Sequence, residues 1–518
     1  MKKRLSLILA GALLVGMLAG CGGQQSAAPQ GSETGGAADV PKLEFLELEM
    51  YQVGEPARDY QRIAEKMNEI FERELNCRFN FTFTGWTDYA NKYHLALSSG
   101  QNVDLIYTAN WLNYKQMAKN GAYLELDELL PQYAPKVWEM VDKDTWDAAR
   151  VNGSIYAVPG LAKGYVTTGF AYRADIGVEY GLPEPDTIEN FEKYLDGIIA
   201  KNPGVVPMSF TTSSLAVGPV DIVRTLKRPY IEISGSGRNY GLYYNIKENN
   251  KELINYWFSE EFVEDCKLFK EWADRGYWSK SILSQQQDVG PLFQNGQIYI
   301  IANDQHLQRF VGTRLSVEGT LQGAKVEWIK SVDNAQRITL IHPTQDAMAI
   351  ASVSRHPERS LMALELLDFN KELCQLSKMG EAGVDYEVGE KGEYVPLVAE
   401  DPPFGLGGFL GWAWGNKAFE LPTPNSVIEA EYLKELEKLP SEPRLGGFSE
   451  DNSEYSSEAA ALATVITQYF LPLEAGIVND VDAAVELFRQ KALEAGIEKI
   501  HSKYLEQWNA YVAEYMKD

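Results

Sequence analysis

The chain has 518 residues, of which 45% are hydrophobic, and its formal net charge is −25. A chain of this length is too long for one hydrophobic core, so we expect two domains of roughly 200 to 250 residues. The acidic balance excludes nucleic-acid binding, which requires a basic surface, and argues equally against docking on anionic lipid.

The N-terminus has the pattern of a secretory signal peptide. Three basic residues precede an apolar run over residues 5–18, and small residues lead to Cys21. The sequence Leu18-Ala19-Gly20-Cys21 resembles the bacterial lipobox. The resemblance implies that residues 1–20 are removed and that Cys21 carries two acyl chains, which suffice for stable anchoring. Residues 21–41 are rich in Gly, Ser, Ala and Gln, and so predict a flexible linker.

Three cysteines remain after Cys21, namely Cys77, Cys266 and Cys374. An odd number cannot form a complete disulfide framework, and the wide spacing excludes a zinc-binding CxxC pair. Their apolar or helical surroundings predict buried free thiols. A disulfide joining Cys374 to either Cys77 or Cys266 is the alternative. The five histidines are scattered, so we expect no metal site.

The first part of the mature chain alternates strands and helices. Alternation of apolar residues predicts a strand over 43–50, and a helical period predicts a helix over 58–75. A strand over 78–84, a helix over 87–97 and a strand over 103–107 follow. This order predicts an α/β fold whose sheet is parallel with right-handed crossovers.

Ligands of parallel sheets bind beyond the carboxyl ends of the strands. In this chain those ends carry Tyr51, Trp86, Asn110 and Trp111. These four residues are therefore candidates for ligand contact.

Catalytic motifs are missing from the sequence. It contains no HExxH, no GxSxG, no Walker loop and no intact dinucleotide fingerprint. The glycine-rich stretch at 405–411 has the wrong spacing for a phosphate loop. A glycosidase carboxylate pair cannot be tested by sequence among 73 acidic residues. We expect a protein that is not an enzyme and has no cofactor.

Successive blocks of the chain resemble the extracellular solute-binding proteins that serve carbohydrate ABC importers. The matching blocks are VDLIYTANW, GAYLELDELL, TWDAARVNGSIYAVPG and GFAYRADIGVEYGLPEPDTIENFEKYL, then residues 296–300 and 346–369. Residues 412–416, 443–448, 471–476 and 491–500 resemble the C-terminal domain of unknown function found on a subset of these lipoproteins. The resemblance covers the whole mature chain.

The resemblance implies a two-lobe, periplasmic-binding-protein-like α/β fold of type II, with a ligand cleft between the lobes and a hinge. Residues 42–158 and about 338–375 would form lobe 1. Residues 159–337 and about 376–518, including the C-terminal helices, would form lobe 2. The implied partners are an oligosaccharide and, encoded elsewhere, the permease subunits and ATPase of an ABC transporter. We expect a lipid-anchored monomer at the extracellular face of the cell membrane.

A sugar offers C–H faces that stack on aromatic rings and hydroxyls that hydrogen bond to polar side chains. Trp86 and Trp111 are the stacking candidates of lobe 1. Trp412 and Trp414 point to one side if their loop is extended, together with Asn416, and are the candidates of lobe 2. Further candidates are Asn110, Tyr51, Tyr165 and Asp304. The alternatives to a sugar receptor are the same fold with another solute, such as a peptide, and a surface glycoside hydrolase.

Overall fold

The computed structural model describes residues 43–516 except 86–88, 99, 162–163, 211–217, 249, 285–288, 303–306, 399–401 and 442. Within these residues no helix has the length and hydropathy that crossing a bilayer requires.

The strands and helices follow one another along the whole described chain. The strands are β1 Leu46–Val53, β2 Cys77–Thr84, β3 Leu105–Thr108, β4 Arg150–Val151, β5 Ser154–Ile155, β6 Ala157–Pro159, β7 Tyr165–Val166, β8 Gly169–Arg173, β9 Met208–Phe210, β10 Tyr230–Ile231, β11 Leu242–Asn245, β12 Leu253–Asn255, β13 Ile300–Ala302, β14 Val326–Lys330, β15 Thr339–Leu340, β16 Ala347–Ile350, β17 Tyr386–Val388 and β18 Tyr394–Pro396. The α-helices are α1 Tyr60–Leu75, α2 Tyr89–Ser98, α3 Tyr114–Lys119, α4 Leu130–Tyr133, α5 Pro135–Met140, α6 Lys143–Ala149, α7 Ala174–Tyr180, α8 Ile188–Lys201, α9 Pro219–Leu226, α10 Ser236–Tyr240, α11 Glu260–Asp274, α12 Val289–Gln294, α13 Leu307–Thr320, α14 Ser331–Ala335, α15 Pro357–Phe369, α16 Lys371–Met379, α17 Pro424–Leu436, α18 Ser456–Val465, α19 Leu471–Glu474, α20 Val481–Glu494 and α21 Ile497–Tyr515.

The first sheet has the strand order β2-β1-β3-β16-β6. Strand β1 runs parallel to β2 and β3, which confirms the predicted parallel arrangement. Strand β16, far along the chain, inserts antiparallel between β3 and β6. Helix α1 buries Ile63, Met67, Ile70 and Phe71, as its helical period predicts. The carboxyl ends of β1, β2, β3 and β6 therefore meet at one edge, where β16 begins.

Strand β1 has the predicted length but lies three residues further along the chain than predicted. Tyr51 pairs with Thr82 and Val53 with Thr84, so the ladder continues three residues beyond the predicted end. Tyr51 lies inside the strand, half-buried against the core, instead of beyond the strand end where we expected it.

The second sheet has the order β14-β8-β13-β9. Its core includes Phe170 and Phe191 and continues into the C-terminal helices, which contribute Phe470, Phe488 and Trp508. The antiparallel pair β7–β15 lies between the two sheets in the sequence, since β7 follows β6 and β15 precedes β16. This pair therefore connects the two halves of the chain.

Part of the segment after residue 375 packs with the first sheet, which differs from the predicted lobe boundary. Phe404, Phe409 and Trp414 belong to the same buried cluster as β1 and β3. The ring of Phe409 lies 4.7 Å from Phe81 and 5.6 Å from Phe83, centroid to centroid. Burial of these rings against β2 explains why the segment stays with the first sheet.

Cys77, Cys266 and Cys374 are all buried and free. The prediction of buried thiols is confirmed, and the alternative of a disulfide from Cys374 is wrong.

Candidate functional site

Three aromatic rings lie together at the carboxyl edge of the first sheet. Tyr107, in β3, is fully buried, and its ring centroid is 6.3 Å from that of Trp111 and 5.8 Å from that of Trp412. Both tryptophans are exposed, by 41% and 39% of their surface. The indole nitrogen of Trp111 donates to the carbonyl oxygen of Gln345 at 2.8 Å. Two exposed rings are thus held in place around a buried one, an arrangement called the aromatic wall below.

A carboxylate lies beside these rings. Asp346 precedes β16, whose first residue Ala347 pairs with Thr108 of β3, and the Tyr107 hydroxyl donates to Asp346 Oδ1. Burial raises the pKa of Asp346, and the bond from Tyr107 and the charge of Lys378 oppose this shift. Among the described residues, Asp346 Oδ2 receives no hydrogen bond. This oxygen can therefore accept one from a ligand hydroxyl.

The loop that carries Trp412 is fixed from beneath. Buried Lys378, in α16, donates from Nζ to the carbonyl oxygen of Gly411. Asp368, in α15, accepts from the backbone N–H of Gly415 at 2.6 Å. On the other side, a Cβ on Gly160 would lie 3.6 Å from the carbonyl oxygen of Trp412, so the end of β6 contacts the same loop. The aromatic wall is therefore anchored by both helices and by the sheet.

Trp414 and Asn416 do not share one exposed side of the loop with Trp412, as the extended-loop prediction required. Trp414 is only 2% exposed, lies in the core of the first sheet, and donates from its indole nitrogen to Ser377 Oγ at 3.2 Å. The side chain of Asn416 accepts from the backbone N–H of Ala418 and caps a short 3₁₀ turn. The prediction assumed an extended loop, whereas Leu410 has a φ of 55° and the backbone N–H of Trp412 donates to its carbonyl oxygen. The chain also turns at residues 412–413, so the two indoles do not point to the same side.

The remaining predicted residues lie in different places. Asn110 begins a 3₁₀ turn beside Trp111, and its Oδ1 is buried without a partner among the described residues. Tyr165 is half-buried in β7, opposite Leu340. Trp86, Asp304 and Cys21 lie outside the described residues.

Tyr107 and Asp346 were not predicted as site residues. They are 239 positions apart in the chain, so no local pattern could pair them. A weak signal existed for Asp346, a carboxylate that directly precedes the apolar run of β16. In chemical terms the site offers ring faces and hydrogen-bond acceptors. Within the residues that the structure describes, no group of His, Cys, Asp or Glu side chains could hold a metal ion.

Comparison with known proteins identifies the family of the chain. Residues 54–369 match the family model of the bacterial extracellular solute-binding protein, and residues 444–513 match a domain of unknown function, DUF3502. The chain is 24% identical over 516 residues to a carbohydrate ABC transporter substrate-binding protein of Streptococcus pneumoniae serotype 4, covering 96% of this chain and 95% of that protein.

Two solved structures have a similar fold. An N-glycan transport solute binding protein from Streptococcus pneumoniae has a TM-score of 0.73 at 21% identity, covering 90% of this chain and 99% of that one. An alginate-binding protein solved without calcium ion has a TM-score of 0.59 at 16% identity, covering 89% and 98%. Both support the two-lobe fold. Because the match to the family model spans more than half of the chain, the chain belongs to the bacterial extracellular solute-binding proteins.

Proposed function

We propose that this chain captures an extracellular oligosaccharide and delivers it to an ABC importer. It is a binding protein and not an enzyme, as the family is. The observation that carries the proposal is the aromatic wall. Exposed tryptophans are costly to leave in water, and here two of them flank one carboxylate at the sheet edge where this fold class places its ligands.

A sugar fits this arrangement better than a peptide does. The faces of Trp111 and Trp412 suit the C–H face of a pyranose, and Asp346 Oδ2 is an acceptor for its hydroxyls. The relative named as a carbohydrate substrate-binding protein supports the same choice.

The proposal is tested by a thermal-shift screen. The panel contains gluco-, manno-, galacto- and fructo-oligosaccharides of two to five units, with dipeptides and tripeptides as the competing class. A ligand that binds only the folded protein raises the melting temperature. We expect at least one sugar to raise it, with affinity confirmed by calorimetry. A shift with peptides and none with sugars would overturn the proposal.

We further propose that Cys21 is the lipid-anchored first residue and that the protein lies at the extracellular face of the membrane as a monomer. The support is the lipobox-like sequence that precedes Cys21. Cys21→Ala should remove lipid labelling and release the protein from the membrane fraction, or stall its processing, whereas Cys77→Ala should keep the label. A membrane-bound, lipid-labelled Cys21→Ala protein would contradict the anchor.

We place the lobes according to the two large buried clusters. Lobe 1 contains residues 43–158, the returning segment from Asp346 and, as a revision of the sequence-based boundary, residues 404–414. Lobe 2 contains the second sheet and the C-terminal helices. The pair β7–β15 then belongs to the hinge.

A further inference from the structure

A cavity of about 290 Å³ lies at the edge of the second sheet. Thr168 and Ser331, which adjoin β8 and β14 at that edge, line it together with helices α9 and α10. Val166 and Thr339, paired across β7–β15, line it as well. Its volume is near the lower end of the roughly 300–1,000 Å³ range of small-molecule pockets, so it fits one sugar ring better than a chain of rings.

A short stretch of chain joins the cavity to the aromatic wall. Thr339 lines the cavity, and Asp346, which lies beside the wall, is only seven positions further along the chain. At full extension seven residues span at most about 25 Å. An oligosaccharide stacked on the wall can therefore place a terminal unit in the cavity.

Three arginines line the cavity, and carboxylates engage two of them, Arg224 and Arg238. Arg224 donates from Nη1 to Asp221 at 2.6 Å and to Glu232 at 3.2 Å, and from Nε to the carbonyl oxygen of Tyr230 at 3.1 Å. Arg238 donates from Nη2 to Asp221 at 2.7 Å and to Glu474 at 3.1 Å. Both arginine side chains are only 10% exposed. Both guanidinium groups are therefore held by carboxylates of the protein itself.

Negative charges lie beside these two arginines. Arg224 pairs with Asp221 and Glu232, and Arg238 pairs with Asp221 and Glu474, while the third lining arginine is Arg337. Burial opposes ionisation of Asp221, but Arg238 and Arg224 overcome this effect and hold the pKa of Asp221 below its ordinary value. An incoming carboxylate would have to compete with Asp221, Glu232 and Glu474 for these two arginines and would be repelled by their negative charges.

The uncharged lining suits hydroxyl groups. Thr168, Ser331, Thr339 and Asn239 line the cavity and can each donate and accept hydrogen bonds. We propose that this cavity holds one uncharged monosaccharide unit at the end of the ligand and rejects an acidic one. The proposal rests on the proposed function and names a class of sugar for it. The fold alone does not decide whether the bound sugar is uncharged or acidic, since an alginate-binding protein has a similar fold.

A variant that fills the cavity tests the location. Val166→Phe places a larger side chain on the lining, at a position that is 36% exposed. We expect it to weaken binding of the sugar with the largest thermal shift in the panel by at least tenfold. Val178→Phe, at an 85% exposed position of α7 outside the lining, is the matched control and should bind within twofold of wild type.

A second experiment tests the charge preference. The same sugar is oxidised at its terminal primary alcohol to a uronic acid, and calorimetry compares both forms. We expect the acid to bind wild type at least thirtyfold more weakly. Glu232→Gln removes one negative charge beside Arg224 with little change in shape. It should reduce the ratio of the dissociation constants of the acidic and the neutral sugar at least fivefold. Glu437→Gln, exposed in the turn after α17, should leave this ratio unchanged.

The outcomes separate the two proposals. If no sugar in the panel raises the melting temperature, the proposed function itself is contradicted. Sugar binding that Trp412→Ala weakens but Val166→Phe does not contradicts only the cavity. If the neutral and the acidic sugar bind equally well, the preference for an uncharged unit is contradicted. The same holds if Glu232→Gln leaves the ratio of their affinities unchanged.

Discussion

Trp412 and Trp414 are two positions apart in the chain but lie in different environments. Trp412 is 39% exposed in the aromatic wall, and Trp414 is 2% exposed in the core. We expect Trp412→Ala, and likewise Trp111→Ala, to weaken sugar binding about tenfold with little loss of stability, since stacking contributes about 0.5–1.5 kcal/mol beyond buried area. Trp414→Ala should instead lower the free energy of unfolding by about 3–5 kcal/mol.

Calorimetry and urea unfolding on the three variants separate these roles. If Trp111→Ala and Trp412→Ala both bind within twofold of wild type, the aromatic wall is not the sugar site.

Asp368 makes stability depend on pH. It is 1% exposed, and burial raises its pKa to about 7 against the hydrogen bond from Gly415 and the charge of Lys378. The unfolded carboxyl titrates near 3.9, so between about pH 4 and 7 the folded state holds a proton that the unfolded state has lost. The contribution of Asp368 to the free energy of unfolding therefore falls as pH rises from about 4 to 7, by on the order of 1 kcal/mol per pH unit.

Asp368→Asn should remove this contribution. The amide oxygen can still accept from the backbone N–H of Gly415, so we expect a shallower fall in stability from pH 5 to 7 and a more stable protein at pH 8. Urea unfolding at four pH values measures it, with the exposed Glu387→Gln as control. Burial also raises the pKa of Glu450 to about 7, so part of the slope should remain. Superimposable pH profiles for Asp368→Asn and wild type would contradict the argument.

Helix α16 supports the aromatic wall through one side chain. Lys378 is buried, its burial lowers the pKa of the ammonium group, and Nζ holds the carbonyl of Gly411. We expect Lys378→Met to weaken sugar binding several-fold, because the loop that carries Trp412 loses its anchor. Stability should change little, since removing a buried charge offsets the lost hydrogen bond.

Lys371→Met, at the exposed start of the same helix, is the matched control and should bind like wild type. Sugar affinity within twofold of wild type for Lys378→Met would show that the loop keeps its shape without this contact.

Elements with a clear period were predictable, and their contacts across the chain were not. The amphipathic period of α1 and the alternation of β1 predicted both elements to within a few residues. Trp414 does not point to the same side as Trp412, because the chain turns at residues 412–413 and residue parity holds only in an extended chain. Asp346 reaches Tyr107 only because β16 inserts beside β3, a pairing that depends on the whole fold. The family resemblance, in contrast, gave the fold class correctly.

At the scale of the whole molecule, the C-terminal region bonds to both large cores. Phe448 packs in the second core, and the adjacent Ser449 accepts from Lys115 of α3 at 2.6 Å. Asp451 forms an ion pair with Lys119 of the same helix at 2.5 Å. Helix α3 belongs to the first core, where Tyr114 and Ala118 are buried. The residues matched to the domain of unknown function therefore link the two halves of the chain.

We expect the two lobes to close around the sugar. A ligand drives closure only by binding the closed form more tightly, which contacts from both lobes would provide. The radius of gyration from small-angle X-ray scattering should fall when the sugar saturates the protein. The Trp111→Ala, Trp412→Ala double variant at the same sugar concentration should scatter like the free protein. An unchanged radius at calorimetric saturation would contradict closure.

The buried cysteines make the protein suitable as an optical sensor. Burial raises the pKa of Cys77 to about 11 and also raises those of Cys266 and Cys374, so these thiols react slowly with alkylating dyes. In a soluble form that begins after Cys21, a single cysteine introduced at the 85% exposed Val178 would be labelled selectively. A second dye site on α1 would then report closure by energy transfer, without replacement of Cys77, Cys266 or Cys374.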